Sequence, residues 1–96
     1  MLARDQIRAI ARELDRTADA HIRGANAGLE EQQLWEVVRR ACRAIEAVAE
    51  MEGDGMERSD RTRKARYVES ELETALEAAR RARTAIEWHV PRDDRA

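Results

Sequence analysis

Apolar residues recur every three or four positions in three separate segments of the chain, a spacing that places them on one face of an α-helix. The first segment carries Ile7, Ile10, Ala11, Leu14, Ala18, His21 and Ile22. The second carries Leu34, Trp35, Val38, Ala41, Cys42, Ile45 and Val48, and the third carries Ala65, Val68, Leu72, Leu76, Ala79, Ile86 and Val90. The pattern predicts helices over residues of about 3–25, 30–52 and 61–89.

Short segments rich in glycine separate the predicted helices. The first break, GANAG over residues 24–28, contains Gly and Asn, which accept the left-handed backbone that ends helices. The second break is GDGMERSD over residues 53–60, in which Ser59 and Asp60 are suited to cap the next helix. Pro91 ends the third helix because its ring prevents continuation.

We expect the helices to pack as an antiparallel three-helix bundle, because the connections between them are short. The chain of 96 residues predicts a single domain over 1–90 and a frayed, charged tail over 91–96. Aromatic residues make up only 3% of the chain, so the core must be aliphatic and rich in Ala. Both a monomer and a homodimer stay open, because the apolar faces are wide and the core is small.

Charge and composition narrow the class of protein. A formal net charge of -2 argues against a protein that coats nucleic acid by bulk attraction. Cys42 is the sole cysteine, the N-terminus is too charged for a signal peptide, and no run approaches the ~20 apolar residues of a membrane span. We therefore expect a cytoplasmic protein with no membrane contact. All basic residues except Lys64 are Arg, a bias typical of GC-rich coding, which favours a bacterial source.

The segment DAHIRGANAG, residues 19–28, resembles the phosphorylated segment of histidine phosphotransfer domains. Those helical bundles carry an exposed His followed by a basic residue and a Gly at the third and fourth places. Here Arg23 and Gly24 occupy the second and third places, and one residue of offset rotates a helical side chain by about 100°. His21 also lies about 40° from the centre of the apolar stripe, whereas a phosphoacceptor must meet its partner in solvent. We therefore favour a structural histidine near a helix end.

Residues 83–89, RTAIEWH, are similar to the Arg and His motif of HEPN-type helical ribonucleases, in which both residues act at the RNA phosphate. The motif is permissive, and Arg83 lies inside the apolar stripe of the third helix, where it would be partly buried. A buried Arg needs an acceptor, and antiparallel packing brings Arg83 level with Glu31. We predict a polar cluster of His21, Glu31, Arg83 and His89, and favour an ion pair that fixes helix register over a catalytic site.

The most basic run of the chain is RSDRTRKAR, residues 58–66. Its cations are Arg58, Arg61, Arg63, Lys64 and Arg66. Together with free amides at a helix start, they could hold an anion or a nucleic-acid phosphate. Five acidic residues lie just upstream, over 46–57, and a hairpin would bring the two runs together, so we favour mutual neutralisation. Only Tyr67 is at hand for base stacking, so a nucleic-acid partner is not favoured.

Trp88 projects away from the apolar stripe of its helix, which makes it a candidate anchor for a docking partner. The segment LEEQQLWE, residues 29–36, superficially resembles the acid cluster of metal-dependent nucleotide pyrophosphatases. The third Glu of that cluster is Leu34 in this chain, so we expect no metal and no cofactor.

The sequence carries no catalytic signature and favours a small non-catalytic helical module for protein–protein interaction. We expect an accessory or regulatory subunit of a larger bacterial assembly, bound to another protein or to a second copy of itself. One alternative is a phosphotransfer or other catalytic role at the end of the bundle that holds His21 and Arg83. The other is an accessory protein that contacts nucleic acid through residues 58–66.

Overall fold

The computed structural model describes residues 3–24, 28–52 and 55–88. Those residues form three α-helices and no strand: α1 spans Arg4–Arg23, α2 spans Leu29–Met51 and α3 spans Arg58–Trp88. The predicted all-α class and antiparallel three-helix bundle are confirmed. None of the described helices is both long enough and apolar enough to cross a membrane. The predicted tail over 91–96 lies outside the described residues.

Helices α1 and α2 form an antiparallel hairpin. Arg12 Nε of α1 donates to Glu46 Oε1 of α2 at 2.6 Å. Nearer the connection, Gln32 Nε2 donates to the carbonyl of Ile22 at 3.3 Å. Residue numbers fall on one helix as they rise on the other, which is the register expected for a chain that folds back at the first break.

Helices α2 and α3 form a second antiparallel hairpin. Lys64 Nζ lies 3.3 Å from Glu50 Oε1 near the connection, and Arg40 Nη1 lies 3.1 Å from Glu71 Oε1 further along. Within the connection, Gly55 has a φ of 86°, in the left-handed region that glycine adopts without strain.

The bundle is open on one side, because α2 packs against both other helices while no Cα atom of α1 comes within 8 Å of one in α3. The two hairpins use different sides of α2. The three helices therefore form a layer with α2 in the middle, and the side chains between the two outer helices have no fourth element above them in the described part of the chain.

The residues buried between the helices are small. The buried apolar set consists of Ala11, Ala18, Cys42, Ala44, Ala47, Ala49, Ala75, Ala78 and Ala82. This set confirms the expectation of an Ala-rich core. Alanine lets helix axes approach closely. No large side chain is fully buried among the described residues. The larger aliphatic residues of the same stripes consequently lie at the edges of the contacts, where part of each side chain meets solvent.

Helix α3 begins three residues earlier than predicted. The carbonyl of Glu57 accepts a hydrogen bond from the amide of Arg61 at 2.9 Å, which is the first helical bond of the segment. The expected capping role of Ser59 and Asp60 is therefore wrong, because both residues already lie inside the first turn, where Asp60 adds favourable negative charge.

Candidate functional site

An apolar groove runs between α1 and α3, and α2 forms its floor. Its volume is about 460 Å³. The apolar side chains that line it include Ile7 of α1, Ala41, Ile45 and Val48 of α2, and Val68 and Leu72 of α3. Arg4 and Glu52 are the charged residues on its wall. The groove exists because α1 and α3 do not meet, so the apolar stripes of three helices face a common space.

Large aliphatic side chains in and beside the groove are about half exposed. On the floor and the α3 wall, Ile45 is 47% exposed and Leu72 is 51% exposed. The apolar surface continues onto both outer helices, where Ile10 is 54% exposed and Leu76 is 51% exposed. We call this surface, made of Ile7, Ile10, Leu14, Leu34, Ile45, Val48, Val68, Leu72 and Leu76, the apolar face. A contiguous apolar surface of this kind is typical of an interaction site.

The opposite side of the layer carries a network of charged residues. Arg43 precedes Ile45 by two positions, which turns its side chain about 200° away from the groove. It lies 3.7 Å from Asp15 of α1. Arg39 lies 3.6 Å from Asp15 and 3.7 Å from Asp19, so it joins α2 to α1 through ion pairs longer than hydrogen bonds. The layer therefore has an apolar side and a charged side.

A tighter ion-pair cluster joins α2 to α3. Arg40 Nε donates to Glu36 Oε1 at 2.8 Å, and Arg40 Nη1 donates to Glu71 Oε1 at 3.1 Å. Burial lowers the pKa of Arg40, but the hydrogen bond to Glu36 and the negative charge of Glu71 outweigh burial, so the pKa lies above its ordinary value. Arg40 thus stays charged and neutralises Glu71, the one charged residue that is buried among the described residues.

The sequence contained a signal for this cluster that our prediction missed. Glu71 precedes Ala75 by four residues and Ala78 by seven, so it occupies the buried stripe of α3. A Glu in such a stripe requires a cation on the facing helix, and Arg40 is level with it in the antiparallel register. We assigned that pairing to Arg83 and Glu31 instead.

The expected ion pair between Arg83 and Glu31 does not form. Arg83 Nε lies 3.5 Å from Glu87 Oε1, one turn further along α3, and the Arg83 side chain is 70% exposed. Partial burial of Arg83 was therefore a wrong expectation. The physical reason is that α3 contacts only α2, so the side of its apolar stripe that carries Arg83 faces solvent.

His21 has an aromatic neighbour. Its ring stacks on Trp35 of α2, with ring centroids 4.1 Å apart and ring planes 1° from parallel. This contact joins the end of α1 to α2, but His21 is exposed, so its expected burial in the apolar stripe is wrong, and its structural role stays a prediction. His89, the remaining member of the predicted cluster, lies outside the described residues. The structure therefore does not bring His21, Glu31 and Arg83 together as one site.

The basic run over 58–66 engages residues around the second connection. The contacts are Lys64 with Glu50 at 3.3 Å, Arg61 with the carbonyl of Met51 at 2.8 Å, and Arg63 with Asp60 at 3.6 Å. Only the contact of Lys64 with Glu50 joins the basic run to the acidic run, so neutralisation of the other cations by residues 46–57 stays a prediction. Arg58 and Arg66 are exposed, and a phosphate contact through them stays a prediction.

Trp88 projects into solvent, as predicted, and is 81% exposed. Together with Leu29 and Ala85 it lines a shallow pocket with a volume of about 440 Å³. Arg80 and Arg81 also line this pocket. The role of Trp88 as a docking anchor stays a prediction. This pocket has fewer large apolar side chains than the apolar face, because only Trp88 and Leu29 contribute them.

The remaining candidates for chemistry are the thiol of Cys42 and clusters of side chains that could hold a metal. Cys42 is only 2% exposed, and burial together with the negative charge of Asp15 raises the pKa of its thiol. A protonated, buried thiol is a poor nucleophile. No group of three or more His, Cys, Asp or Glu residues in the described ranges is arranged to hold a metal ion.

Comparison with known proteins gives the chain no relative: no protein-family model, no curated protein and no solved structure matches it. A function must therefore be argued from the residues of this chain.

Proposed function

We propose that the protein is a small non-catalytic helical interaction module, an accessory or regulatory subunit of a larger bacterial assembly, that binds a protein chain through its apolar face. The observation that carries the proposal is the apolar groove between α1 and α3. A monomer in water gains nothing from leaving Ile45 and Leu72 half exposed, whereas a bound chain that covers them removes apolar surface from water.

The magnitude of this effect is sufficient for recognition. Covering the exposed half of one Leu or Ile side chain stabilises a complex by about 1 kcal/mol. Several such residues lie side by side on the apolar face, so their sum can offset the entropy lost on association. The charged side of the layer is paired internally in part: Arg40 donates hydrogen bonds to Glu36 and Glu71, and Arg39 and Arg43 lie within 4 Å of carboxylates, although Arg39 Nε has no hydrogen-bond partner. This side therefore keeps the module in solution while the apolar face binds.

Three observations make the alternative functions weaker. One face of the His21 ring is occupied by Trp35, and the Arg83 guanidinium that would assist a reaction pairs with Glu87 on its own helix. The basic run engages Glu50 and the end of α2, which reduces its attraction for phosphate. We also propose a cytoplasmic location, because the sole cysteine is a free, buried thiol.

Affinity capture from cells of the native host tests this proposal with three variants of the tagged chain. Leu72→Glu places a charge on the apolar face. Ser70→Glu places the same charge on an exposed residue of the same helix, turned about 200° away. His21→Ala removes the candidate chemical residue. We expect one protein to be captured by the wild type, by Ser70→Glu and by His21→Ala, and to be lost with Leu72→Glu.

The opposite pattern would contradict the proposal. If Leu72→Glu retains every captured protein while His21→Ala loses biological activity, the function belongs to the end of the bundle that holds His21. If activity and capture depend on Arg58 and Arg66 and disappear after nuclease treatment, the function is nucleic-acid binding through residues 58–66.

A further inference from the structure

The size of the apolar face indicates what covers it. Helix α2 has 23 residues and is therefore about 35 Å long. Three helices side by side, with axes 8–10 Å apart, form a layer about 25 Å wide. One whole side of the layer, with its charged edges, thus measures roughly 870 Å², close to the ~800 Å² that each partner contributes to a stable protein–protein interface. A lone helix, about 10 Å across, would cover less than half of it.

The exposed aliphatic residues extend across the whole width of the layer. Ile45 lies on the floor of the groove, but Ile10 on α1 and Leu76 on α3 lie on its outer flanks, and all three are about half exposed. A single helix seated in the groove reaches the floor and leaves the flanks in water. A second layer of three helices covers the floor and both flanks.

Charge at the edges of the face is balanced. Arg4 lies 3.8 Å from Asp5 at one end, and Arg83 lies 3.5 Å from Glu87 on α3 near the other. A strongly charged partner would bind best to a face whose edge carries charges of the opposite sign only. Edges of mixed sign, on a chain whose net charge is only -2, allow two identical surfaces to meet with little repulsion.

We propose that the occupant of the apolar face is a second copy of this chain. Two copies related by a two-fold axis place face against face and form a six-helix, two-layer assembly. Ile10, Ile45 and Leu72 of both copies are then enclosed between the two layers. They form a central core that is thicker than the Ala contacts within each chain. This inference rests on the proposed function, since it names the partner that the same surface binds.

Sedimentation equilibrium tests the proposal with the full chain. We expect the wild type and Ser70→Glu to sediment at twice the chain mass of 11.0 kDa, with dissociation constants within about three-fold of each other. Leu72→Glu should raise the dissociation constant at least ~100-fold, because both copies then bury an unpaired carboxylate in the interface. Circular dichroism confirms that both variants keep their helices, which is expected for exposed positions.

A second measurement identifies the contacting surface independently of any loss of function. A photoreactive residue at position 76, on the apolar face, should link two identical chains, whereas the same residue at position 70 should not. Mass spectrometry should locate the linked peptides of both chains on the apolar face.

Three results would overturn the second copy as occupant. They are a wild type that stays at 11.0 kDa up to about 100 µM, a helical Leu72→Glu that dimerises as tightly as the wild type, and linkage at position 70 in place of 76. A monomeric wild type whose captured protein is still lost with Leu72→Glu would overturn this inference and leave the proposed function standing. A monomer whose capture ignores Leu72→Glu would overturn both.

Discussion

Arg40 of α2 and Glu71 of α3 form the tightest ionic link between the two helices: Arg40 Nη1 lies 3.1 Å and 3.5 Å from the two carboxylate oxygens of Glu71. Glu71 is only 7% exposed, so its charge depends on this partner. Because a buried ion pair must be in register to form, the contact selects one alignment of α2 and α3. That alignment in turn sets which residues of α3 border the apolar groove.

Removal of Arg40 should therefore destabilise the fold more than loss of a surface charge does. We expect Arg40→Met to lower the free energy of unfolding by about 3 kcal/mol, because it leaves a buried carboxylate without a cation. The double variant Arg40→Met, Glu71→Leu should recover most of that loss. Arg43→Met is the matched control, since Arg43 is paired loosely with Asp15 at 3.7 Å, and it should cost less than about 1 kcal/mol. Urea unfolding of the wild type and these three variants measures the losses, and equal losses for Arg40→Met and Arg43→Met would contradict the prediction.

The Ala contacts should not accept larger residues. Ala78 is 1% exposed between α3 and α2, and Ala78→Leu should cost about 1–3 kcal/mol by forcing the helices apart. Ala9 is exposed on α1, and Ala9→Leu should change stability by less than about 0.5 kcal/mol. Thermal unfolding compares the two variants. A tolerated Ala78→Leu would mean that the α2–α3 contact is looser than described.

The thiol of Cys42 should react slowly. Its raised pKa means that less thiolate is present at a given pH than for a free cysteine, and thiolate is the reactive form. Labelling by a thiol reagent at pH 8 should be at least ~100-fold slower than in a Cys42→Ala chain that carries Ala9→Cys, and should accelerate at a pH above the ordinary thiol value of about 8.5. Equal rates at pH 8 would show that Cys42 is accessible.

The raised pKa of Cys42 also makes the free energy of unfolding depend on pH. The folded chain holds the thiol proton more tightly than the unfolded chain does. The stabilisation of the folded chain by this proton is therefore complete below the pKa of the thiol in the unfolded chain. It is lost as pH rises through the pKa of the thiol in the folded chain. Stability of the wild type relative to Cys42→Ala should fall in alkaline solution. A difference that grows with pH would contradict the assignment.

The stacked rings of His21 and Trp35 should contribute a measurable coupling energy. We expect a double-mutant cycle with His21→Ala and Trp35→Leu to give about 0.5–1.5 kcal/mol, the range for stacked aromatic pairs. Trp88→Leu is the control, because Trp88 is 81% exposed and its loss should change stability by less than about 0.5 kcal/mol. A coupling near zero would leave His21 without a structural role and would return it to the candidates for chemistry.

The fold was predictable from the sequence because helix periodicity and glycine breaks are local signals. The register was also within reach, since two short connections determine which residues lie level. The ion pair between α2 and α3 was predicted for the wrong residues, because the burial of Arg83 on the apolar stripe of α3 depends on whether α1 closes against that helix. Helix α1 does not, so Arg83 is exposed and Glu71 takes the buried position. The apolar groove escaped prediction for the same reason, since periodicity identifies an apolar stripe but not what covers it.

The central claim is that the apolar face is covered in the assembled protein, and the methyl groups of Ile45 test it most directly. In a single chain Ile45 is 47% exposed, so a soluble paramagnetic agent should relax its methyl signals rapidly. We predict slow relaxation for Ile45 in the wild type, rapid relaxation in Leu72→Glu, and no difference between the two for the exposed methyl of Thr62. Rapid relaxation of Ile45 in both proteins would show that the face stays open in water and would contradict the account.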